Sequence, residues 1–413
     1  MPSSLPKTVA MSQGRVALML TLLLGIQPVT TDLYLPALPS LAGALNAPMS
    51  AVQLTLSALI ICFGVAQLVW GPLSDRFGRR PILLAGLALY SLAAGGAALS
   101  PSIEWLVGWR ALQGAGMAAS VACGRSIVRD LYEPREGARV MSRALGGLGL
   151  VAMVSPLLGG LLARHLNWHA ALGAVSLFGV VTLASVAWRF EETLSRKNPR
   201  ATELRQIAVN WRHILANRTF IAWTALLCAT WGGLFTILAS SSFVFIEVLG
   251  IGQIAFGAVL ATCSLSYIGG TFFCRFLLRH GNASRAVGVG AAFSLAGGLS
   301  MAGLSLAGVQ SVWAVFLPML LYSIGHGVHQ PCGQAGAISP FPDSAGTAAS
   351  LSGFAMMATA FGVGLALGRS MNGTVFPLTL GVGGLGVCVA AVAWTLVRKH
   401  GDRRVFAPSA LPA

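Results

Sequence analysis

Charge is what this sequence has least of. Only 9% of its 413 residues are charged, and 12 in all are Asp or Glu. A soluble domain carries roughly 25% charged residues, so a water-facing surface of ordinary extent cannot be assembled from this chain. Long polar runs are nearly missing too, which excludes a disordered tail protein. The seven cysteines (Cys62, Cys123, Cys228, Cys263, Cys274, Cys332, Cys388) include no C-x-x-C pair and lie in or beside apolar stretches. They read as buried thiols rather than as a disulfide scaffold, a metal site or a redox centre. The net charge of +15 invites a nucleic-acid reading, but the basic residues sit in short clusters between apolar runs. That spacing fits membrane topology better than a basic binding face, so no nucleic-acid partner is expected.

What the chain does contain is apolar sequence: 55% hydrophobic residues, with a mean hydropathy of +0.75. Stretches of about 20 weakly charged residues recur along it, each long enough to cross a ~30 Å hydrocarbon core. Turn residues and charge clusters divide them into twelve candidate helices. The first six are Arg15–Leu38, Ser50–Leu73, Pro81–Leu99, Ile103–Val128, Met141–Ala163 and Trp168–Phe190. The second six are Phe220–Val248, Ile254–Leu278, Ala286–Ala307, Val312–Ala335, Ala345–Gly368 and Val375–Val397. The N-terminal run behind Lys7 and Arg15 is followed by no small-residue cleavage site, so it is expected to stay as the first helix.

The longest polar stretch holds Arg196, Lys197, Arg200, Glu203, Arg205 and Arg212. It predicts a linker over 191–218 between six-helix halves at 1–190 and 219–413. All 27 Lys and Arg except Arg110, Arg164 and Arg369 fall in loops or tails on one side, the Arg398–Arg404 tail included. Both termini and the linker are therefore expected in the cytoplasm. The loop near Pro340–Asp343, expected on the same side, carries no basic residue. An Arg-x-Gly echo (Arg76–Gly78, Arg279–Gly281) at the matching place in each half points to a duplicated transporter architecture.

Three motifs carry mechanism. Gly71-Pro72-Leu73-Ser74-Asp75-Arg76-Phe77-Gly78-Arg79-Arg80 matches G-x-L-x-D-R-x-G-R-R throughout. Gly71 and Gly78 are expected to permit a tight reversal, and Arg76, Arg79 and Arg80 to hold it at the membrane face. Asp75 is expected to meet a neighbouring Arg or the helix N-terminus near Ser344–Gly346, where a carboxylate gains from the helix dipole. Next, Trp109–Gly116 places Arg110 inside a span, with Gln113 one turn on. A buried Arg is costly and calls for a partner. The one acid well inside a span is Asp32, and at ~1.5 Å per residue both side chains lie about 10 Å from the same membrane face. A proton-linked pair is expected, a static salt bridge being the plainer alternative. Third, Ser155-Pro156-Leu157-Leu158-Gly159-Gly160 predicts a bend and a close helix seam.

The first motif resembles the loop motif of the major facilitator superfamily. The second resembles the R-x-x-Q-G motif of its proton-coupled members. The third resembles the antiporter motif of its drug:proton branches, with Ser155-Pro156 where Gly-Pro is usual. With Asp32–Pro39 and Gly124–Asp130, the chain resembles the Bcr/CflA-type drug:proton antiporters. The resemblance implies an all-α fold of twelve transmembrane helices, in a monomer of the bacterial inner membrane. It also implies export of small amphipathic compounds in exchange for protons, with the gradient as energy source and no cofactor.

His326 and His329 share a helix face at i, i+3 spacing and can carry protons. They are expected to make structural hydrogen bonds or to contact substrate or protons; a metal site would need more ligands. Tyr34, Gln113, Met117, Trp231, Phe235 and Phe354 are further candidates to line a substrate cavity. The rival readings are a proton symporter or facilitator for a metabolite and a membrane-embedded enzyme, the latter lacking any nucleophile–base motif.

Overall fold

A computed structural model describes residues 12–132, 134–194 and 197–401. Lys7, Arg196, Arg403 and Arg404, used in the charge argument above, lie outside them, as do the side chains of Arg125, Arg135 and Arg200. Among the described residues the chain is helical throughout, with no strand. Among the described residues, eleven helices are long and apolar enough to cross a membrane.

Helix α1 (Gln13–Asp32) stops earlier than the expected Leu38. Pro36 and Pro39 cannot donate to the preceding turn. The chain instead passes through a 3-10 turn (Leu35–Ala37) into a short helix (Leu38–Ala44), with Leu35, Pro36, Leu38 and Leu41 all buried. Helix α2 (Met49–Phe77) runs a full turn past Leu73, so Gly71 lies inside it and makes no part of the reversal. That correction leaves Gly78 alone to turn the chain, at φ +114°, into α3 (Arg79–Ala98). A Cβ there would meet Glu192 Oε2, so glycine is required on both conformational and steric grounds.

Helix α4 (Ile103–Leu131) has the length of a span but is not apolar enough to count among the eleven. Arg110 and Gln113, both fully buried, lower its hydropathy. Helices α5 (Pro134–His165) and α6 (Trp168–Arg189) complete the first group.

The 191–218 stretch is not an irregular linker. It contains a 3-10 turn (Pro199–Thr202) and helix α7 (Leu204–Leu215), whose Ile207, Trp211, Ile214 and Leu215 recur at helical spacing among Arg205, Arg212 and His213. Ile214 is buried, and His213 sets its ring 5.6 Å from Phe341. Phe341 in turn lies 6.2 Å from Phe220, which anchors the loop that carries no basic residue.

The remaining helices are α8 (Arg218–Ser242, continued by a π-turn over Phe243–Val248), α9 (Gln253–His280) and α10 (Ala283–Leu306). After them come α11 (Val312–Ile338), α12 (Ala345–Ser370) and α13 (Phe376–Val392, continued over Ala393–Val397).

The chain divides into two compact units. One takes the chain up to Ala208 with Gly250–Ala261 and Gly364–Arg369; the other takes Val209–Leu249, Thr262–Val363 and the chain from Ser370 on. Within the first, α2 and α3 pack on α4. Gly86 and Gly116 leave no room for a Cβ, so the α3 and α4 backbones touch. Large apolar side chains such as Leu92, Leu177 and Trp188 point outward, as expected of helices that face hydrocarbon.

Candidate functional site

Arg110, Gln113, Gly114 and Met117 fall at i, i+3, i+4 and i+7 on α4 and form one buried face. Arg110 donates from Nη1 to Gln113 Oε1 at 2.9 Å and from Nη2 to the Thr30 carbonyl at 3.2 Å. Its guanidinium lies 4.5 Å over the Tyr34 ring, a cation–π contact in a site closed to solvent. Arg110 Nε has no partner among the described residues.

The expected Asp32–Arg110 ion pair is not formed in this conformation. Asp32 Oδ1 accepts instead from Thr31 Oγ1 at 2.7 Å. The physical reason is that α1 ends at Asp32, so its last carbonyls are free, and Thr30 offers one of them to Arg110. Thr30 is itself tied to Tyr90, hydroxyl to hydroxyl, at 2.6 Å. Neither residue stands out in the sequence; a Thr two residues before a helix end carries no signal of its own.

The third motif bears on the same place. A Cβ on Gly159 of α5 would clash with the Leu33 carbonyl, so this glycine lets α5 seat the chain directly after Asp32. Gly160 likewise faces the Gln253 carbonyl, and Pro156 is buried between these points.

The Gly71–Arg80 motif builds a second cluster. Arg79, expected to help hold the loop at the membrane face, is 1% exposed and joins α2, α3 and α4. Its Nη1 pairs with Asp75 Oδ1 at 2.6 Å and its Nε with Asp130 Oδ2 at 2.8 Å. Nη1 also reaches Ser74 Oγ at 2.6 Å. The neighbouring-Arg alternative for Asp75 is therefore the one observed.

Arg76 donates to Thr202 Oγ1, and Arg80 donates to the Ala187 carbonyl. Glu192, overlooked in the sequence, accepts from the backbone N–H groups of both Arg79 (2.8 Å) and Arg80 (3.1 Å). It thus caps α3 from a segment more than 110 residues away. Removing this cap by Glu192→Ala is expected to cost about 1.5–3 kcal/mol, as for hydrogen bonds to a charged group. Thermal unfolding of the purified protein in detergent checks this; an unchanged melting temperature contradicts it.

In the second unit, His326 and His329 on α11 are brought together around one hydroxyl. Thr230 Oγ1 lies 2.9 Å from His326 Nδ1 and 3.2 Å from His329 Nδ1. Tyr322 donates to the Thr230 carbonyl at 3.2 Å, and His329 Nε2 lies 3.3 Å from the Val287 carbonyl. Trp231 and Tyr267 flank the His326 ring at 5.9 and 5.5 Å. Of the other cavity candidates, Phe235 is buried on α8 and Phe354 half-buried on α12.

Helices of this length around a buried arginine, with the loop knot below them, define a polytopic membrane transporter. The model of the Major Facilitator Superfamily matches residues 20–368, and the chain belongs to that family. It is 33% identical to a chloramphenicol resistance protein of Pseudomonas aeruginosa over 76% of this chain and 74% of that one. It is 30% identical to multidrug resistance protein D of Escherichia coli over 81% and 84%. To a bicyclomycin resistance protein homolog of Haemophilus influenzae it is 27% identical over 90% and 94%.

These relatives bear out the resemblance to the Bcr/CflA-type drug-efflux branch. The fold matches the xylose transporter XylE of E. coli in a partially occluded inward-open conformation. There the TM-score is 0.73 and the identity 15%, over 93% of this chain and 98% of that one. It also matches the human organic anion transporter MFSD10, with a TM-score of 0.67 and 19% identity over 94% and 100%.

Proposed function

We propose that this protein is a proton-driven exporter of small amphipathic compounds in the bacterial inner membrane, working as a monomer by alternating access. In this reading α4 is the twelfth span, and the chain forms two six-helix halves at 1–190 and 219–413 joined by 191–218. The observation that carries the reading is Arg110, a fully buried charge held only by neutral groups. Such a cation is costly in a membrane and marks a functional site. Gln113, the Thr30 carbonyl and the Tyr34 ring hold it while Asp32 is disengaged, and its Nε, without a partner among the described residues, leaves a place that a carboxylate can fill during transport.

In the proposed cycle Asp32 takes a proton from the periplasm, releases Arg110 or bound substrate, and permits release outward. The protein then turns inward and gives up the proton as the next substrate binds. In this cycle the carboxyl exchanges its present Thr31 partner for Arg110 as the conformation changes. The Gly71–Arg80 loop serves as the conformational latch, and Pro156, Gly159 and Gly160 form a seam in which Gly159 seats the chain after α1 and Pro156 and Gly160 lie against the start of α9. The rival symporter reading shares the fold, and the drug-resistance relatives favour export; an enzyme has no motif to support it.

A susceptibility panel in a pump-deficient host tests the export reading. Expression is expected to raise resistance to neutral and cationic amphiphiles such as chloramphenicol and tetraphenylphosphonium, and a protonophore to abolish the effect. Unchanged susceptibility across the panel contradicts it. The orientation has its own test. In a background freed of native cysteines, Glu203→Cys is expected to resist an impermeant maleimide added to intact cells and to react in everted vesicles. Labelling in intact cells overturns the cytoplasmic placement.

A further inference from the structure

The hydrogen bonds around Thr230 fix more than positions. His326 is 2% and His329 0% exposed, and no carboxylate is among their partners, so both rings are neutral. A carbonyl can only accept, so His329 carries its hydrogen on Nε2, toward Val287. Its Nδ1 is then an acceptor, and the Thr230 hydroxyl must donate to it. That leaves Thr230 Oγ1 only lone pairs to offer His326, whose Nδ1 must donate. His326 Nε2 is therefore a bare acceptor. Beside it Trp231 presents the complementary defect, a buried Nε1–H without a partner among the described residues. A single hydroxyl or secondary amide can donate to the first and accept from the second, with its apolar body against the Trp231 and Tyr267 rings. A cation cannot.

We propose that Thr230, His326 and Trp231 form a subsite for a neutral hydroxyl or amide group of the exported compound, with Thr230 as the positioning residue that makes His326 an acceptor. The proposal rests on the exporter reading, and two measurements keep the two apart.

Nitrogen-15 NMR of the full chain in nanodiscs is expected to show the Nδ1–H tautomer at His326 and the Nε2–H tautomer at His329. Thr230→Val is expected to erase that difference and Thr230→Ser to keep it. In everted vesicles, Thr230→Val and Trp231→Phe are each expected to lower the ratio of chloramphenicol to tetraphenylphosphonium transport about tenfold, the scale of one lost buried hydrogen bond. Thr230→Ser is expected to restore the ratio. A reversed tautomer pattern, or loss of both compounds in equal measure, overturns the subsite. If neither compound is exported by the wild type, the exporter reading fails, and the tautomers alone decide the hydrogen-bond relay.

Discussion

Asp32→Asn is expected to abolish gradient-driven efflux while leaving the protein folded and in the membrane. The amide keeps the size of the carboxyl, and its oxygen can accept the Thr31 hydroxyl bond that Asp32 Oδ1 accepts now. What it cannot do is gain and lose a proton, so the variant is held permanently in the neutral state of the cycle. Substrate can still bind, and exchange without a gradient can continue. Arg110→Ala is expected to fail more broadly, because it leaves Gln113 Oε1 and the Thr30 carbonyl without their donor inside the protein. Arg110→Lys is a poor substitute, since a single ammonium cannot fork to both acceptors and stack on Tyr34. Drug uptake by everted vesicles at matched expression checks all three. Full coupled transport by Asp32→Asn would move the search to His326, His329 or Glu247, although Glu247 is exposed at the end of α8.

The second large effect is at Arg79. Arg79→Ala is expected to cost about 3–5 kcal/mol of stability, the range for breaking a buried ion pair and leaving its partner uncompensated. Asp130, at 12% exposure, is that partner. Adding Asp130→Asn to Arg79→Ala is therefore expected to recover a large part of the loss.

Asp75→Asn separates stability from function, because Asp75 is 43% exposed and Arg79 keeps Asp130 and Ser74 without it. It is expected to leave folding nearly intact and to impair transport by shifting the balance of conformations. Melting curves and transport rates for the three variants distinguish the outcomes. A fully stable Arg79→Ala would contradict the buried knot, and unchanged turnover in Asp75→Asn would leave the loop a purely topological role.

The helices were legible because apolar runs of bilayer length are long and periodic enough to stand out from their neighbours. Asp32 and Arg110 were legible for the opposite reason: a charge inside such a run is conspicuous. Less visible was anything set by a long-range partner. Glu192 looks like one more acid in a polar stretch, and only the fold brings it to the start of α3. Helix α7 was hidden by its charges, which drown the helical spacing of its apolar residues. Thr230 carries no local signal whatever; its role comes from two imidazoles nearly 100 residues away. The reach of α1 was misjudged because its apolar run continues through Pro36 and Pro39 while its hydrogen bonding does not.

The most direct test of the account is proton movement on substrate addition. Protein reconstituted into proteoliposomes with an inward-acidic pH gradient is given chloramphenicol or tetraphenylphosphonium, and lumenal pH is followed with a trapped dye. Protons are expected to leave with the wild type at a rate that saturates with substrate, and to stay with Asp32→Asn. Substrate movement by the wild type with no proton movement, or equal proton efflux through Asp32→Asn, would contradict it.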